Sequence, residues 1–497
     1  MIDLRNIFPV CGLLLLVFGS ASADEHSLGL SDEVVPYEEF GKDLTQRQRL
    51  LTEVIDDSLF PENIDRSEML GARQPNDMDT ELPERRSLFG HDRFLSPGPI
   101  DPGFETKTGA RWRPSFMIFG NLRSAVQSYE PAGGPRTTEW ANRLDIFGNL
   151  SLTSTERFLI GFRPLDNEGN FTGFAGGPGA VDDGFVNGFD AVPSTFFFEG
   201  YLDELFPNLD PHDSRNLDYG ISIGRQPILL QDGILANDDI DSIGITKHNL
   251  FRMNASATRI SAFVGFHDVH RNDNIRDSSA RFFALSGCLD YPNMTLEVDG
   301  AYVAGDEDSG GDVAFFGLGH LAQLGYWHST FRANASFAMN SRNAKAAADG
   351  WLLTHQLSRT LPFNDDVLTL SSFFEFGDYT SAARGPATGG PLGNFSLLHQ
   401  AVGIGTYGPA IDNDFDNQVG GSVSYQHFFD DDEYRQIIAS LGGSGSTDGG
   451  NDTTGALVLQ YQQALSENLL LAVGGFGSVT TENDKGFGAR TELTRKF

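Results

Sequence analysis

Cysteine is almost absent from this 497-residue chain, which contains only Cys11 and Cys288. Cys11 lies in a segment that we expect to be removed, which leaves Cys288 as a single thiol. A single thiol cannot form an intramolecular disulfide or a cysteine-based metal cluster. Positive charge is also scarce, because 35 Lys and Arg stand against 68 Asp and Glu, for a formal net charge of −33. This balance excludes an ordinary nucleic-acid binder, which needs a basic face.

Long apolar runs are missing after the first residues of the chain. At the start, Arg5 precedes an apolar stretch from residue 7 to residue 19, and Ala21-Ser22-Ala23 is typical of a cleavage site. These features predict a signal peptide over residues 1–23. The alternative is a membrane anchor, but the run is short for a membrane-spanning helix, which needs roughly 20 apolar residues. We therefore expect an exported chain that begins at Asp24.

Residues 106–497 have an alternating texture, in segments of about 10 residues separated by turn residues, as transmembrane β-strands have. In the segment Ser329–Met339, Phe331 and Phe337 fall on one face, and Arg332 and Asn334 on the other. A charge in the middle of a strand is costly when it faces lipid, about 2–4 kcal/mol for Arg or Lys. The charged face should therefore line a polar lumen.

The pattern predicts an all-β fold, a transmembrane antiparallel β-barrel. We count eighteen segments, with sixteen as the alternative, and single-chain bacterial barrels have an even number. The segments are expected to start near Arg113, Arg143, Arg157, Thr195, Asp218, Ile240, Thr258, Arg281, Met294, Ala314, Ser329, Trp351, Val367, Gly420, Gln436, Ala456, Leu469 and Gly486. Short links alternate with longer polar ones, and the two longest are Leu165–Ser194 and Asp378–Val419. The last segment ends in Phe497 and is similar to the terminal strand of outer-membrane barrels, which the insertion machinery reads. We expect outer-membrane lipid and that machinery, through Phe497, as partners.

Residues 24–105 differ from the rest, because they are acidic and have little regular pattern. Asp43 can cap one helix before Pro61, in which Leu50, Val54 and Leu59 recur at helical spacing. The composition favours a periplasmic extension, of mixed or helical structure, with one surface helix. The alternatives are a partial plug inside the barrel and an oligomerising coiled coil. The oligomeric state of the chain stays open.

The charged residues on the polar face are candidates for selectivity. They are Arg113, Arg123, Arg143, Asp145, Arg163, Glu199, Arg225, Arg259, Glu297 and Arg332. One interpretation is an anion-attracting stretch of arginines, since the guanidinium fork suits carboxylates and phosphates, with one of the two long links folded inward to narrow it. The other interpretation is that Arg and Asp/Glu on neighbouring strands neutralise one another and fill the interior.

One stretch carries a family resemblance. Tyr219-Gly220-Ile221-Ser222-Ile223-Gly224-Arg225-Gln226-Pro227, followed by Asp232-Gly233 and Asp238-Asp239-Ile240-Asp241-Ser242, resembles the alginate-export family of outer-membrane barrels. The resemblance implies an 18-stranded barrel whose arginine-rich lumen lets an anionic polysaccharide out, with Arg225 as a candidate ligand. The extension of residues 24–105 and the acidic composition depart from the family. Arg225 also shares its face with Ile221 and Ile223, so it needs a bulge or a position above the membrane to reach the lumen.

Motifs for catalysis and for metal binding are lacking. No Gly-x-Ser-x-Gly elbow, His-Glu-x-x-His or phosphate loop occurs, so we expect neither an enzyme nor a cofactor. Asp412-x-Asp414-x-Asp416 lacks the glycine and glutamate of a calcium loop, with Asn417 and Val423 in their places. We expect a passive channel for hydrophilic solutes, with anionic ones such as polysaccharide or sugar acids as candidates. The alternative is a non-conducting scaffold or adhesin barrel that binds a partner protein.

Overall fold

The computed structural model describes residues 87–89 and 103–497, apart from residues 181–182, 213, 215, 252–253, 363, 415, 430–433, 450–452 and 483. The predicted signal peptide and the predicted helix after Asp43 lie outside the described residues. No helix in the described ranges is long and apolar enough to cross a membrane. Phe104–Glu105 pairs with Arg111–Trp112 across the predicted boundary at residue 105, and Ser87–Phe89 pairs with the start of the first long strand.

Eighteen long strands, β1 to β18, form one closed antiparallel barrel. Each strand pairs with the next along the chain, and β18 pairs with β1. The bounds are β1 Ser115–Glu130, β2 Thr137–Ser151, β3 Arg157–Phe162, β4 Pro193–Tyr201, β5 Tyr219–Leu230, β6 Ala236–His248, β7 Ala257–His267, β8 Arg281–Tyr291, β9 Met294–Ala304, β10 Val313–Leu324, β11 Trp327–Ala338, β12 Gly350–Thr360, β13 Val367–Gly377, β14 Gln418–Phe428, β15 Arg435–Ser446, β16 Thr453–Ser466, β17 Leu469–Thr480 and β18 Lys485–Lys496. The predicted fold class and strand number are confirmed.

Alternation along each strand sorts the two faces of the barrel. In β1, Leu122 and Val126 are exposed on the outer face, whereas Arg123 and Gln127 point inward to other polar groups. Large apolar side chains stay exposed around the barrel, for example Phe196, Ile223, Phe283, Phe316 and Leu441. A closed barrel satisfies its backbone hydrogen bonds internally, so it can present such a surface to lipid. This architecture places the chain in an outer membrane, as predicted.

The connections divide the barrel into two unlike rims. Pro292 and Asn293 alone join β8 to β9, and Glu467 and Asn468 alone join β16 to β17. The two long connections, residues 163–192 and 378–417, leave the other rim, where the sequence predicted them. We call the first the turn rim and the second the loop rim. In bacterial barrels the short turns are periplasmic and the long loops extracellular.

One short helix, several 3-10 turns and several short strands lie between the long strands. The turn rim carries one helix, α1, Leu202–Leu205, and the 3-10 turn Pro207–Leu209. Asn170–Gly176 extends the wall beside β2 and pairs in turn with Gly184–Val186. The remaining short strands are Asp166–Asn167, Val269–His270, Arg276–Asp277 and Ala383–Arg384, and the remaining 3-10 turns are Gln231–Gly233 and Glu307–Ser309.

The upper part of the β5–β6 hairpin, residues 226–240, leaves the wall and enters the lumen. Pairing of β5 with β4 stops at Arg225, and pairing of β6 with β7 starts at Asp241. Beyond these points the two strands pair with each other alone, apart from a short contact with residues 383–384. The tip of this inserted hairpin reaches across to Arg332 on β11. Only a segment that lies inside the barrel can reach Arg332 in this way.

Where the hairpin enters the lumen, the environments of its two faces change places: one face packs against the barrel wall and the other turns toward the lumen. Ile228, Leu230 and Ile240 are buried against Phe282 and Val303 of the barrel wall. The opposite face, which carries Arg225, therefore turns toward the lumen although Ile221 and Ile223 on the same parity face outward. The change occurs at Gly224, whose φ of 125° is left-handed. Pairing runs through Gly224 without a register shift, so Arg225 reaches the lumen because the hairpin turns inward and not through a bulge.

We expect Gly224→Val to destabilise the barrel. A Cβ at this position would lie 2.2 Å from the carbonyl oxygen of Phe196, and a positive φ is unfavourable for a β-branched residue. Strain of this kind costs about 1–3 kcal/mol. The unfolding temperature in detergent measures the effect. Gly220→Val on the same strand is the control, because its Cβ would meet nothing closer than 3.7 Å. Equal unfolding temperatures for the two variants would contradict this account.

Residues 378–417, the inserted loop, fill much of the remaining lumen. The loop contacts strands on all sides of the barrel: Arg123 on β1, Arg143 on β2, Gln356 on β12 and Phe476 on β17. Its apolar side chains form a core with the wall, and those that are almost fully buried are Tyr379, Leu392, Leu398, Ile404 and Ile411. Of the two links that the sequence offered for narrowing the lumen, this one folds inward.

Candidate functional site

The inserted hairpin and the inserted loop are joined to each other. Ala236 and Asn237 pair in parallel with Ala383 and Arg384. The buried Arg384 guanidinium donates hydrogen bonds to the carbonyl oxygens of Gly233, Thr388 and Gly389, at 2.8, 3.1 and 2.6 Å. Because Arg384 ties both segments together with carbonyl acceptors, they form a single obstruction across the lumen. Water-accessible space remains beside it in two cavities.

The first cavity, of about 330 Å³, lies between the inserted loop and strands β1 and β16–β18. Its charged lining consists of Arg123, Arg490 and Lys496 against Glu492, so we call it the basic cavity. Arg123 donates two hydrogen bonds to Glu492, of 2.8 and 3.1 Å. Arg490 also contacts Glu492 and lies over the ring of Tyr407. Within the described ranges the buried Nε of Arg490 has no hydrogen-bond partner.

The second cavity, of about 580 Å³, lies on the other side of the inserted loop, toward the loop rim. Its carboxylates outnumber its arginines, so we call it the acidic cavity. The charged lining residues are Arg143, Arg163, Arg225, Arg276, Asp166, Glu168, Asp190, Asp238, Asp239 and Asp268. Several of these are paired: Arg163 with Asp239 at 3.2 Å and Arg225 with Asp268 at 2.7 Å. The lumen thus offers both signs of charge in separate places.

Half of the predicted selectivity residues meet around these cavities. Arg143 binds Asp145 through Nε at 3.0 Å, and Arg163 reaches the same carboxylate at 3.2 Å. Arg225 also binds Asp241, which faces it across the hairpin, at 2.9 Å. The sequence placed Asp241 in the stretch that resembles the alginate-export family, but it did not show the pairing.

Other predicted residues lie apart from the cavities. Arg332 is buried under the tip of the inserted hairpin and binds Glu297 at 2.7 Å. Glu199 pairs with Arg157 at 2.5 Å near the turn rim, and Arg259 is exposed near the start of β7. Arg113 is exposed two residues before β1 begins, so the expected strand start at this residue is corrected to Ser115. A strand edge is set by pairing partners, which composition does not show.

Ion pairing is the common feature of the lumen arginines. Among the arginines that the sequence predicted, those that bind a carboxylate are Arg123, Arg143, Arg163, Arg225 and Arg332. The neutralising partners that the interpretation of a filled interior requires are therefore in place for these five. Pairing alone does not fix the sign of selectivity, so the anion-attracting stretch stays a prediction.

Several lumen residues were missed by the sequence analysis. Asp268 and His270 follow β7 in a loop, where alternation gives no signal, and His270 binds Asp238 of the inserted hairpin at 3.0 Å. Arg384 and Glu139 were missed as well, since their partners lie in the inserted loop or hairpin. In the described part of the chain no group of three His, Cys, Asp or Glu residues could hold a metal ion.

Four aspartates lie at the two ends of the inserted loop, which we call its neck: Asp378, Asp412, Asp414 and Asp416. The backbone N–H of Asn417 donates to the carbonyl of Gly377 at 3.1 Å, so the two ends of the loop meet there. Burial, followed by the charges of Asp414 and Asp416, raises the pKa of Asp378 to about 6. Loss of hydration, with Asp412 adding to it, raises the pKa of Asp414 to about 6 as well. Protonation therefore favours the docked neck.

We expect the inserted loop to be held more firmly in acid. Both pKa values lie above the ordinary aspartate value of about 3.9, so their contribution to docking is complete below that pH and is lost as the pH rises through about 6. Conductance in planar bilayers should rise across this window, because a looser neck narrows the lumen less. The double variant Asp378→Asn/Asp414→Asn should lack the step, whereas Asp308→Asn, at an exposed position on the loop rim, should keep it. A step that is unchanged in the double variant would refute the assignment.

Comparison with known proteins adds one result about the fold. No protein-family model matches the chain, and no curated protein matches it significantly. Among solved structures it is similar to a BenF-like porin from Pseudomonas fluorescens Pf-5, with 10% identity, a TM-score of 0.51 and coverage of 77% of this chain and 98% of that one. OccK2 (OpdF) of Pseudomonas aeruginosa in complex with glucuronate has 13% identity and a TM-score of 0.49, and the match covers 77% of this chain and 96% of that one. OccK5 (OpdH) of the same organism has 10% identity and a TM-score of 0.47, and the match covers 77% of this chain and 98% of that one. The alginate-export family is not shown by these comparisons. The chain has the fold of an outer-membrane porin.

Proposed function

We propose that this chain is a passive outer-membrane channel for small hydrophilic solutes, with a preference for those that carry a carboxylate. The observation that carries the proposal is a polar lumen narrowed by two inserted segments, with cavities of about 330 and 580 Å³ beside them. Barrels of 16–18 strands without such segments leave a wide aqueous channel. Cavities of this size suit small molecules.

The preference for carboxylates rests on the basic cavity. Three cationic side chains surround one carboxylate there, and Arg490 keeps a buried N–H directed away from any acceptor in the described residues. In a narrow space the effective dielectric constant falls below that of water, so each charge acts more strongly on a passing ion. The acidic loops outside act weakly, because exposed charges are screened beyond about 8 Å at physiological salt.

A small solute fits this lumen better than a polymer. A polysaccharide would thread through the whole barrel and would need one continuous passage along its axis. The joined hairpin and loop interrupt that passage, and Arg384 of the loop holds the hairpin through the carbonyl of Gly233. We therefore favour sugar acids and similar carboxylates over the polysaccharide that the alginate-export resemblance implies.

Planar-bilayer recording in a salt gradient tests the proposal. We expect the reversal potential to show an excess of anion current, and the double variant Arg123→Gln/Arg490→Gln to shift it toward cations. Arg342→Gln is the matched control, because Arg342 is an exposed arginine on the loop rim that also pairs with a carboxylate. Cation preference in the unaltered channel would reject the preference for carboxylates. No conductance from pure protein would favour the alternative of a scaffold or adhesin barrel.

A further inference from the structure

A short part of the inserted loop, Val402–Thr406, separates the two cavities. We call it the strap. Val402 lines the basic cavity together with Arg123, and Arg143 lines the acidic cavity on the other side. Arg123 and Arg143 face each other in register on β1 and β2. The shortest way from one cavity to the other therefore runs past these two arginines, where the strap now lies.

The strap is fastened to the wall mainly by polar contacts. Arg123 Nη2 donates to the carbonyl of Val402 at 3.0 Å, and Arg143 Nη1 donates to the carbonyl of Gly403 at 2.8 Å. Gln127 donates to the carbonyl of Ile404 at 3.0 Å. At the far end, Thr406 donates from its hydroxyl to Glu139 at 2.9 Å. In two of these contacts the donor is an arginine, a residue that suits a carboxylate, but the acceptor is a neutral backbone carbonyl.

A small apolar cluster completes the attachment, and Ile404 is the strap side chain that is buried in it. Ile404 is buried in a small cluster with Ala125, Ala141 and Phe171 of the wall. The rest of the inserted loop is anchored in a larger apolar cluster that includes Leu398. Gly403 and Gly405, on either side of Ile404, have φ values of 69° and 67°. The strap is thus a locally attached segment with a glycine at each side of its buried apolar residue, Ile404, and with Val402 packed against the same cluster.

The charges beneath the strap favour an anion. Arg123 and Arg490 share Glu492, and Arg143 and Arg163 share Asp145, so two trios of two arginines and one carboxylate meet in register. Each trio has one more positive than negative charge. Asp239 also forms an ion pair with Arg163 and neutralises part of the excess there. A carboxylate offers a guanidinium a full opposite charge and two acceptor oxygens for a bidentate pair, neither of which a single backbone carbonyl supplies. A solute carboxylate can therefore compete with the strap carbonyls.

We propose that the strap covers a carboxylate subsite formed by Arg123 and Arg143, and that a carboxylate solute opens the passage between the two cavities by taking these donors from Val402 and Gly403. The inference rests on the proposed function and adds to it the place where the lumen opens. The strap is closed in the absence of solute, and solute binding and opening are one event.

Two variants move the strap in opposite directions. Ile404→Ala removes its apolar contact without touching the arginines, and we expect the ratio of open to closed channel to rise at least about tenfold. Leu398→Ala is the matched control, because Leu398 is equally buried in the same loop but lies outside the strap. Ala125→Cys/Ile404→Cys, in a Cys288→Ser background, should hold the strap closed after oxidation and release it after reduction. Mass spectrometry of the linked peptides verifies the cross-link.

The readout is single-channel recording with gluconate or sorbitol, which differ in the carboxylate. In the unaltered protein, gluconate should raise the open fraction and sorbitol should leave it unchanged. Ile404→Ala should open without gluconate, and the oxidised cysteine pair should stay closed with it. The inference is overturned when Ile404→Ala behaves as Leu398→Ala, or when the verified cross-link leaves conductance unchanged. The proposed function fails separately, when neither the unaltered chain nor one without the inserted loop conducts.

Discussion

Removing the inserted loop should raise the conductance of the barrel several-fold and abolish most of its ion preference. Residues 379–416 occupy the lumen, and both cavities are bounded by them. The two ends of the loop meet in a hydrogen bond between Asn417 and Gly377, so a short glycine-serine linker can replace the loop without straining β13 and β14. An 18-stranded barrel without this obstruction leaves an aqueous channel.

The measurement is single-channel conductance together with the reversal potential in a salt gradient. Intact folding is checked by heat-modifiable mobility on gels, because deletion also uncovers apolar wall residues such as Phe373 and Phe476. We expect a lower unfolding temperature but a closed barrel. Conductance equal to that of the full chain, from a protein that is folded by this criterion, would show that the loop does not limit flow.

Replacing Arg332 by methionine should destabilise the docked hairpin more than any other single exchange of a lumen arginine. Arg332 is 2% exposed and binds Asp232 at 2.6 Å, Glu297 at 2.7 Å and Gln231 at 3.0 Å. Methionine keeps the length of the side chain but leaves two carboxylates without their cation. Breaking a fully buried pair costs about 3–5 kcal/mol, and the cost here is smaller because Asp232 and Glu297 are 63% and 27% exposed.

Arg157→Met is the matched control for this exchange. Arg157 also pairs with a carboxylate, Glu199, but the two side chains are 43% and 37% exposed. Exposed pairs contribute only about 0–1 kcal/mol, because water screens them. Unfolding temperature and amide hydrogen exchange over residues 226–240 provide the comparison. Similar exchange rates in the two variants would contradict the assignment of Arg332 as the anchor of the hairpin.

Alternation was enough to predict the wall of the barrel. Each of the eighteen predicted segments corresponds to a strand, and several starts coincide, as at Arg281, Met294 and Val367. The largest offsets are at Arg143, where β2 already begins at Thr137, and at Ile240, where β6 begins at Ala236. The missed start of β2 pairs with the short strand Asn170–Gly176, and the missed start of β6 belongs to the inserted hairpin, which has left the wall, so that alternation there no longer reports lipid on one side.

The candidate site was only partly accessible from the sequence. Arg123, Arg143 and Asp145 were identified because charges recur on one parity within a strand, and that pattern is local. Their partners are not local: Glu492 lies 369 positions from Arg123, and Gly403 lies 260 positions from Arg143. No spacing in the sequence relates such residues, because barrel closure and the docking of the inserted loop bring distant parts of the chain together.

The sequence by itself determined the barrel, its strand number and the two longest links, because period-2 alternation reports directly which face of each strand meets lipid. Only the tertiary structure decided which link enters the lumen and which face of Arg225 meets water. The reason is that the β5–β6 hairpin turns inward after Gly224 and buries Ile228, Leu230 and Ile240 against the wall. Once a strand leaves the wall, its partner in packing is protein instead of lipid, and the alternation rule no longer says which face is wet.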